Sequence, residues 1–179
     1  IRPMLALRDG RVVGRIAAIR NRNHESFHNE AMGFFGFFEC EDDTEAARAL
    51  FDAVRAYHRE QGLPRFIGPM NPSTNEECGL LVEGFDTPPA VMMTHALPYC
   101  GPLVEACGLV KAKDLFAYCM QNVGVPERLE RGGAIAEERN PGVVVRRLDK
   151  KRFQEDVEKF RTVYNSAWEK NWGFVPMTD

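Results

Sequence analysis

Apolar and polar positions first separate into two short apolar segments, Pro3 to Leu7 and Arg11 to Ile19, joined by Asp9-Gly10. Asp-Gly between such runs favours a two-residue turn whose central positions need positive φ, so two antiparallel strands are expected. The polar stretch Asn21 to Glu30 reads as a loop, and Met32 to Cys40 as a third strand. Its phenylalanines, Phe34, Phe35, Phe37 and Phe38, fall on both faces, which predicts a central strand covered on both sides. From Thr44 to Gln61 the apolar positions Ala47, Leu50, Phe51, Val54 and Tyr57 or His58 recur at three and four, which is helical spacing, and Gly62 follows as a stop. Asp42 with Glu45 three residues later has the form of an N-cap and its reciprocal partner.

Beyond that helix the pattern predicts a short strand over Arg65 to Met70, parallel to the third because a helix crosses between them. Asn71 to Pro89 is a long polar loop. Ser73 and Thr74 each precede a glutamate by three (Glu76, Glu77), and these overlapping capping patterns predict one short helix across Asn75 to Val82. Pro98 to Cys107 reads as a second helix stopped by Gly108, and Lys111 to Met120 alternates as a closing strand. Gln121 to Gly142 is rich in Gly, Pro and charge and reads as a linker with a brief helix around Pro126 to Arg131. Val143 to Leu148 and Lys151 to Lys170 then form a fresh strand and helix. The expected organisation is a domain over 1–121, a linker over 122–142 and the start of a second domain over 143–179. The class is α/β of the α+β kind, a mixed and mostly antiparallel sheet with flanking helices. Trp168, Trp172 and Phe174 need a packing surface, so the chain reads as a fragment.

Composition narrows the functions. The net charge of −3 and the isoelectric point near 5.9 offer no general attraction to nucleic acid or anionic membrane. No run is long and apolar enough to span a bilayer and no signal arrangement opens the chain, so a cytoplasmic protein is expected. Five cysteines without a CxxC pair read as reduced, mostly buried thiols, and no metal site is expected, His24 and His28 lying in the segment read as loop.

Two segments carry candidate chemistry. Glu39, Glu41, Asp42 and Asp43 stand where a strand meets a helix N-terminus, the usual seat of a phosphate, with the opposite charge already in place. In the polar loop, Glu76 or Glu77 is placed to act as a general base or to hold an amine, with Asn71, Ser73, Thr74 and Asn75 orienting a substrate. The same residues serve equally well to cap and tie down a loop. Cys78 with His95 offers a thiol nucleophile, although a buried structural cysteine is the commoner role.

The element order, with Tyr99 followed by the Ala106-Cys107-Gly108-Leu109 turn, resembles the GNAT (Gcn5-related) N-acetyltransferase fold over about residues 3 to 121. The run Gly68-Pro69-Met70-Asn71-Pro72-Ser73-Thr74-Asn75-Glu76 is similar to a stretch in bacterial tandem GNAT-like proteins. That resemblance implies acyl transfer from acetyl-CoA or another acyl-CoA to a small-molecule amine or peptide, with Tyr99 as proton donor to the departing thiolate. It also implies a pyrophosphate loop at the strand-to-helix turn. Glu39 to Ala47 contains no glycine, arginine, lysine or glutamine, and each added carboxylate opposes a phosphate by on the order of 1 to 4 kcal/mol. This half is therefore expected to lack standard CoA binding, and a non-catalytic domain using the Asn71 to Asp86 loop is the competing class. Lys151 to Asp179 is expected to pack on the first domain or on a neighbouring copy in a homodimer.

Overall fold

The computed structural model describes residues 1–121 and 123–178. They fall into two compact units, one built from residues 1–114 with 165–178 and the other from Leu115–Tyr164.

The first unit is a mixed α+β fold on a four-stranded sheet. Strands β1 (Arg2–Arg8), β2 (Arg11–Arg20), β3 (Gly33–Cys40) and β4 (Phe66–Ile67) are neighbours in that order. The first two pairings are antiparallel and β3 with β4 is parallel, as a crossover helix requires. Asp9 and Gly10 take the positive φ of the hairpin turn, 51° and 79°. Helix α2 (Thr44–Glu60) makes the crossover, burying Ala46, Ala47, Leu50, Phe51, Val54 and His58 against the sheet. Phe35 joins Phe51, Val54 and Leu103 on that side, while Phe34 packs with Ile19 and Met70 on the other, so β3 is covered on both faces. His58 lies over Gly33, where any Cβ would clash with its ring, and its Nε2 stands 3.0 Å from the Phe34 carbonyl. Burial pushes the His58 pKa down.

Several expectations are corrected. Arg22–His28 is a helix, α1, capped by the Asn21 side chain and closed by Asn29 in the left-handed region. The polar composition masked two terminus-forming asparagines. The N-cap of α2 is Asp43, whose carboxylate accepts from the Glu45 and Ala46 amides, and not Asp42. No helix spans Asn75 to Val82; β5 (Met70–Asn71) instead turns back on β6 (Glu77–Cys78). Ser73 and Glu76 make their reciprocal bonds inside that turn, so the capping pattern is real but serves a hairpin. Helix α3 (Cys100–Ala106) ends in a turn with Gly108 at φ 83°.

Lys111 to Met120 and Val143 to Leu148 form no strand. Alternation gives Lys111 to Met120 an apolar face and three valines make Val143 to Leu148 apolar, but a strand also needs a neighbour to pair with, and among the described residues neither segment forms a ladder. The second unit contains α4 (Glu127–Arg139), longer than the brief helix expected within the linker, and most of α5 (Phe153–Trp168). Asp149 caps the 3-10 turn Lys150–Arg152 that leads into α5. Arg146 holds the Asp156 carboxyl far below the usual carboxylate range.

Candidate functional site

Antiparallel pairing along β2 and β3 slips once: Arg15 faces Glu39 and Ala17 faces Gly36, so β3 carries an extra residue. Phe37 occupies that bulge at φ 51°, a region bulky residues rarely enter. Gly36 lets the chain at Met70 and Asn71 come close to the bulge, because a Cβ there would lie 1.8 Å from the Met70 carbonyl oxygen. Strand β4 pairs only with Gly33 and Phe34, so the second half of β3 has no ladder partner on that side. In place of a ladder bond, the Phe37 N–H donates to Asn71 Oδ1 at 2.7 Å.

A cavity of about 450 Å³ opens beside this half of β3. Asn71, Glu76, Glu77 and His95, with the ion-paired Arg15 and Glu39, line its polar side, and Phe38, Leu80 and Met92 contribute apolar wall. A second concavity, about 440 Å³ around Arg20, Tyr57 and Gln61, is lined by no carboxylate, thiol or imidazole. Acid–base or nucleophilic chemistry therefore points to the first.

Within that cavity the expected residues divide. Glu76 Oε2 accepts from both the Ser73 hydroxyl, at 2.5 Å, and the Ser73 amide, at 3.1 Å. Glu77 has only a long contact from Asn71 Nδ2, 3.4 Å, and among the described residues no cation pairs with it. Of the two glutamates it is the one with spare acceptor capacity. Thr74 and Asn75 do not line the cavity: Thr74 Oγ1 donates to the Gly173 carbonyl at 2.5 Å, and Asn75 Nδ2 to that of Val175 at 3.1 Å. They hold down residues 173–175, aided by His28 Nε2, 2.8 Å from the Phe174 carbonyl, and by Phe27 edge-on to Phe174.

Tyr99, just ahead of α3, donates its hydroxyl to the Cys40 carbonyl at 3.0 Å, lies outside the cavity wall, and has its pKa raised by burial. Cys78 is half-buried in β6 with its thiol pKa pushed up by desolvation, and no hydrogen bond links it to His95 among the described residues. Burial pushes the Cys40 thiol to about 11, with Asp43 adding to the effect. These are inert thiols rather than activated nucleophiles.

The acidic turn is less hostile than its sequence suggests. Arg15 pairs with Glu39 at 2.8 Å, Arg11 grips Glu41 through both nitrogens, and Arg8 reaches Asp43 at 2.9 Å. Three arginines from the hairpin thus offset three of the four carboxylates. The helix terminus is nevertheless taken, since Asp43 holds the first amides a phosphate would need, and the turn from Glu39 to Ala47 has no glycine to let one approach. Among the described residues no three His, Cys, Asp or Glu side chains gather as metal ligands, and no helix is long and apolar enough to cross a membrane.

The arginine partners and the apolar wall from Leu80 to Ala96 are features that reading along the chain missed. Three arginines on one hairpin, Arg8 on β1 and Arg11 and Arg15 on β2, ahead of an acidic turn were the available signal for the first; nothing in the irregular loop marked the second.

Comparison with known proteins finds two relatives along nearly the whole chain. It is 43% identical over 177 residues to a protein of Caulobacter vibrioides named bacterial ceramide synthase, and 36% identical over 177 residues to Protein YghO of Escherichia coli. In both cases 98% of this chain is covered, but only 46% and 45% of the relative, so the chain spans about half their length. No protein-family model and no solved structure matches it.

Proposed function

We propose that these residues form the acceptor side of a GNAT-like, amide-forming N-acyltransferase. The observation that carries this reading is the convergence, on one cavity, of the bulge amide of Phe37, the Asn71 side chain that covers it, and the Glu77 carboxylate. A neutral amine entering the cavity attacks the thioester carbonyl carbon with its nitrogen lone pair; as the C–N bond forms the nitrogen's proton passes to Glu77, the C–S bond breaks and the thiolate departs. The Phe37 N–H, once Asn71 swings aside, is a backbone donor suited to the carbonyl oxygen as it gains charge. Glu76 positions the hairpin through Ser73, and Tyr99 meets the thiolate only if it leaves the Cys40 carbonyl.

The acyl-CoA pyrophosphate binds elsewhere in the longer polypeptide, because Asp43 occupies the terminus of α2. The name of the Caulobacter relative supports this reading, since making a ceramide means acylating an amine. A second reading, a binding or structural domain without catalysis, draws support from Ser73, Thr74 and Asn75, whose side chains bond within the protein.

Kinetics on the full-length protein separate the two. Glu77→Gln lowers kcat by roughly 10²- to 10⁴-fold while thermal stability is kept; turnover equal to that of the parent removes Glu77 from the chemistry. Calorimetry of the 179-residue chain with acetyl-CoA gives no micromolar binding, and a micromolar isotherm contradicts the assignment of the pyrophosphate site.

A further inference from the structure

Among the described residues of Leu115–Tyr164 none is buried, yet the unit holds fifteen large apolar side chains in the open, from Leu115 to Val163. Scattered apolar residues on a surface need no explanation, but a contiguous supply with no core of its own marks an interface. Three stretches carry it. Phe116, Tyr118 and Met120 alternate along one segment at 76%, 85% and 90% exposure. Val143, Val144 and Val145 make a second, and Phe153, Phe160 and Val163 lie on α5 at helical spacing. Two apolar segments, neither of them a strand here, and an amphipathic helix supply apolar faces to a unit that has no core of its own to take them.

We infer that these faces are one half of a core completed in cis, by a segment of the same polypeptide outside these 179 residues. Both relatives match 98% of this chain, yet more than half of each lies beyond the match, enough for a further domain. A covalently attached partner binds at high effective concentration, which is how a surface with so little core of its own is kept covered. The added segment pairs backbone with Phe116 to Met120 and Val143 to Val145 and lays apolar side chains on α5. The inference is independent of the proposed chemistry, since it concerns a unit that holds none of the candidate catalytic residues.

Hydrogen exchange tests it. In the full-length protein the amides of Phe116 to Met120 and Val143 to Val145 exchange at least 100-fold more slowly than in the 179-residue chain, which itself stays monomeric by ultracentrifugation. Phe160→Asp lowers the melting temperature of the full-length protein and leaves that of the 179-residue chain unchanged. Equal exchange in both forms overturns the inference, as does protection of the short chain that appears only as it dimerises, which assigns the surface to a second copy. An equal effect of Phe160→Asp in both forms also overturns it.

Discussion

The acidic turn and the polar loop are both rich in carboxylates, both follow β strands, and they are held in opposite ways. The turn is fastened from outside, by Arg8, Arg11 and Arg15 on an exposed hairpin face. The loop is fastened from beneath: Asn71 to the bulge amide of β3, Thr74 and Asn75 to the backbone of residues 173–175. Charge density along the sequence is the same kind of signal in each. What differs is whether water screens the partner. Surface pairs leave most of the turn's charge offset and its helix end self-capped, whereas the inner bonds leave one carboxylate, Glu77, uncommitted beside a cavity.

Perturbing the loop's foundations should therefore cost far more than perturbing the turn. The largest effect is expected for Gly36→Ala, whose Cβ would sit 1.8 Å from the Met70 carbonyl oxygen and drive β5 off β3. Chemical denaturation should show a loss of about 3 kcal/mol or more; a loss below ~1 kcal/mol would mean that the close approach of β5 is not needed.

Acid comes next. His24 and His58 are buried, and desolvation holds both pKa values below their ordinary value, with His28 lowering that of His24 further. The unfolded chain then binds more protons, so stability is fully present above about pH 6.5 and declines as the pH falls through the lowered values, by at most about 1.4 kcal/mol per pH unit for each histidine. Denaturation midpoints that stay flat from pH 7.5 to 5 would contradict this.

Thr74→Val should cost about 1 kcal/mol and speed hydrogen exchange at residues 173–175, and Asp43→Ala about 1 kcal/mol through the lost cap on α2. Exchange unchanged by the first would detach the loop from that segment. Smallest of all, Arg11→Ala removes an exposed pair with Glu41 and should shift the denaturation midpoint by less than the error of the measurement. A clear destabilisation there would erase the distinction between turn and loop.

What could be read along the chain was whatever depends on near neighbours. Asp9-Gly10 set the hairpin, the spacing from Ala47 to Val54 set α2, and the double-sided phenylalanines of β3 announced a covered strand. Asn71 and Glu77 were picked out for their chemistry, and they do line the cavity. Distant partners were illegible. Thr74 and Asn75 looked like substrate ligands because their acceptors lie 99 and 100 residues away. The turn looked like bare negative charge because Arg11 precedes Glu41 by 30 residues. Alternation in Lys111 to Met120 predicted a strand, but among the described residues that segment pairs with no neighbour.

The central claim, that the cavity beside the Phe37 bulge accepts an amine for acylation, is met most directly by product analysis. The full-length protein is incubated with an acyl-CoA and a primary amine, and the products are resolved by mass spectrometry for the parent and for Glu77→Gln. The account predicts an N-acyl amide formed in step with free CoA by the parent and nearly abolished in the variant; amide formed equally by both, or by neither, contradicts it.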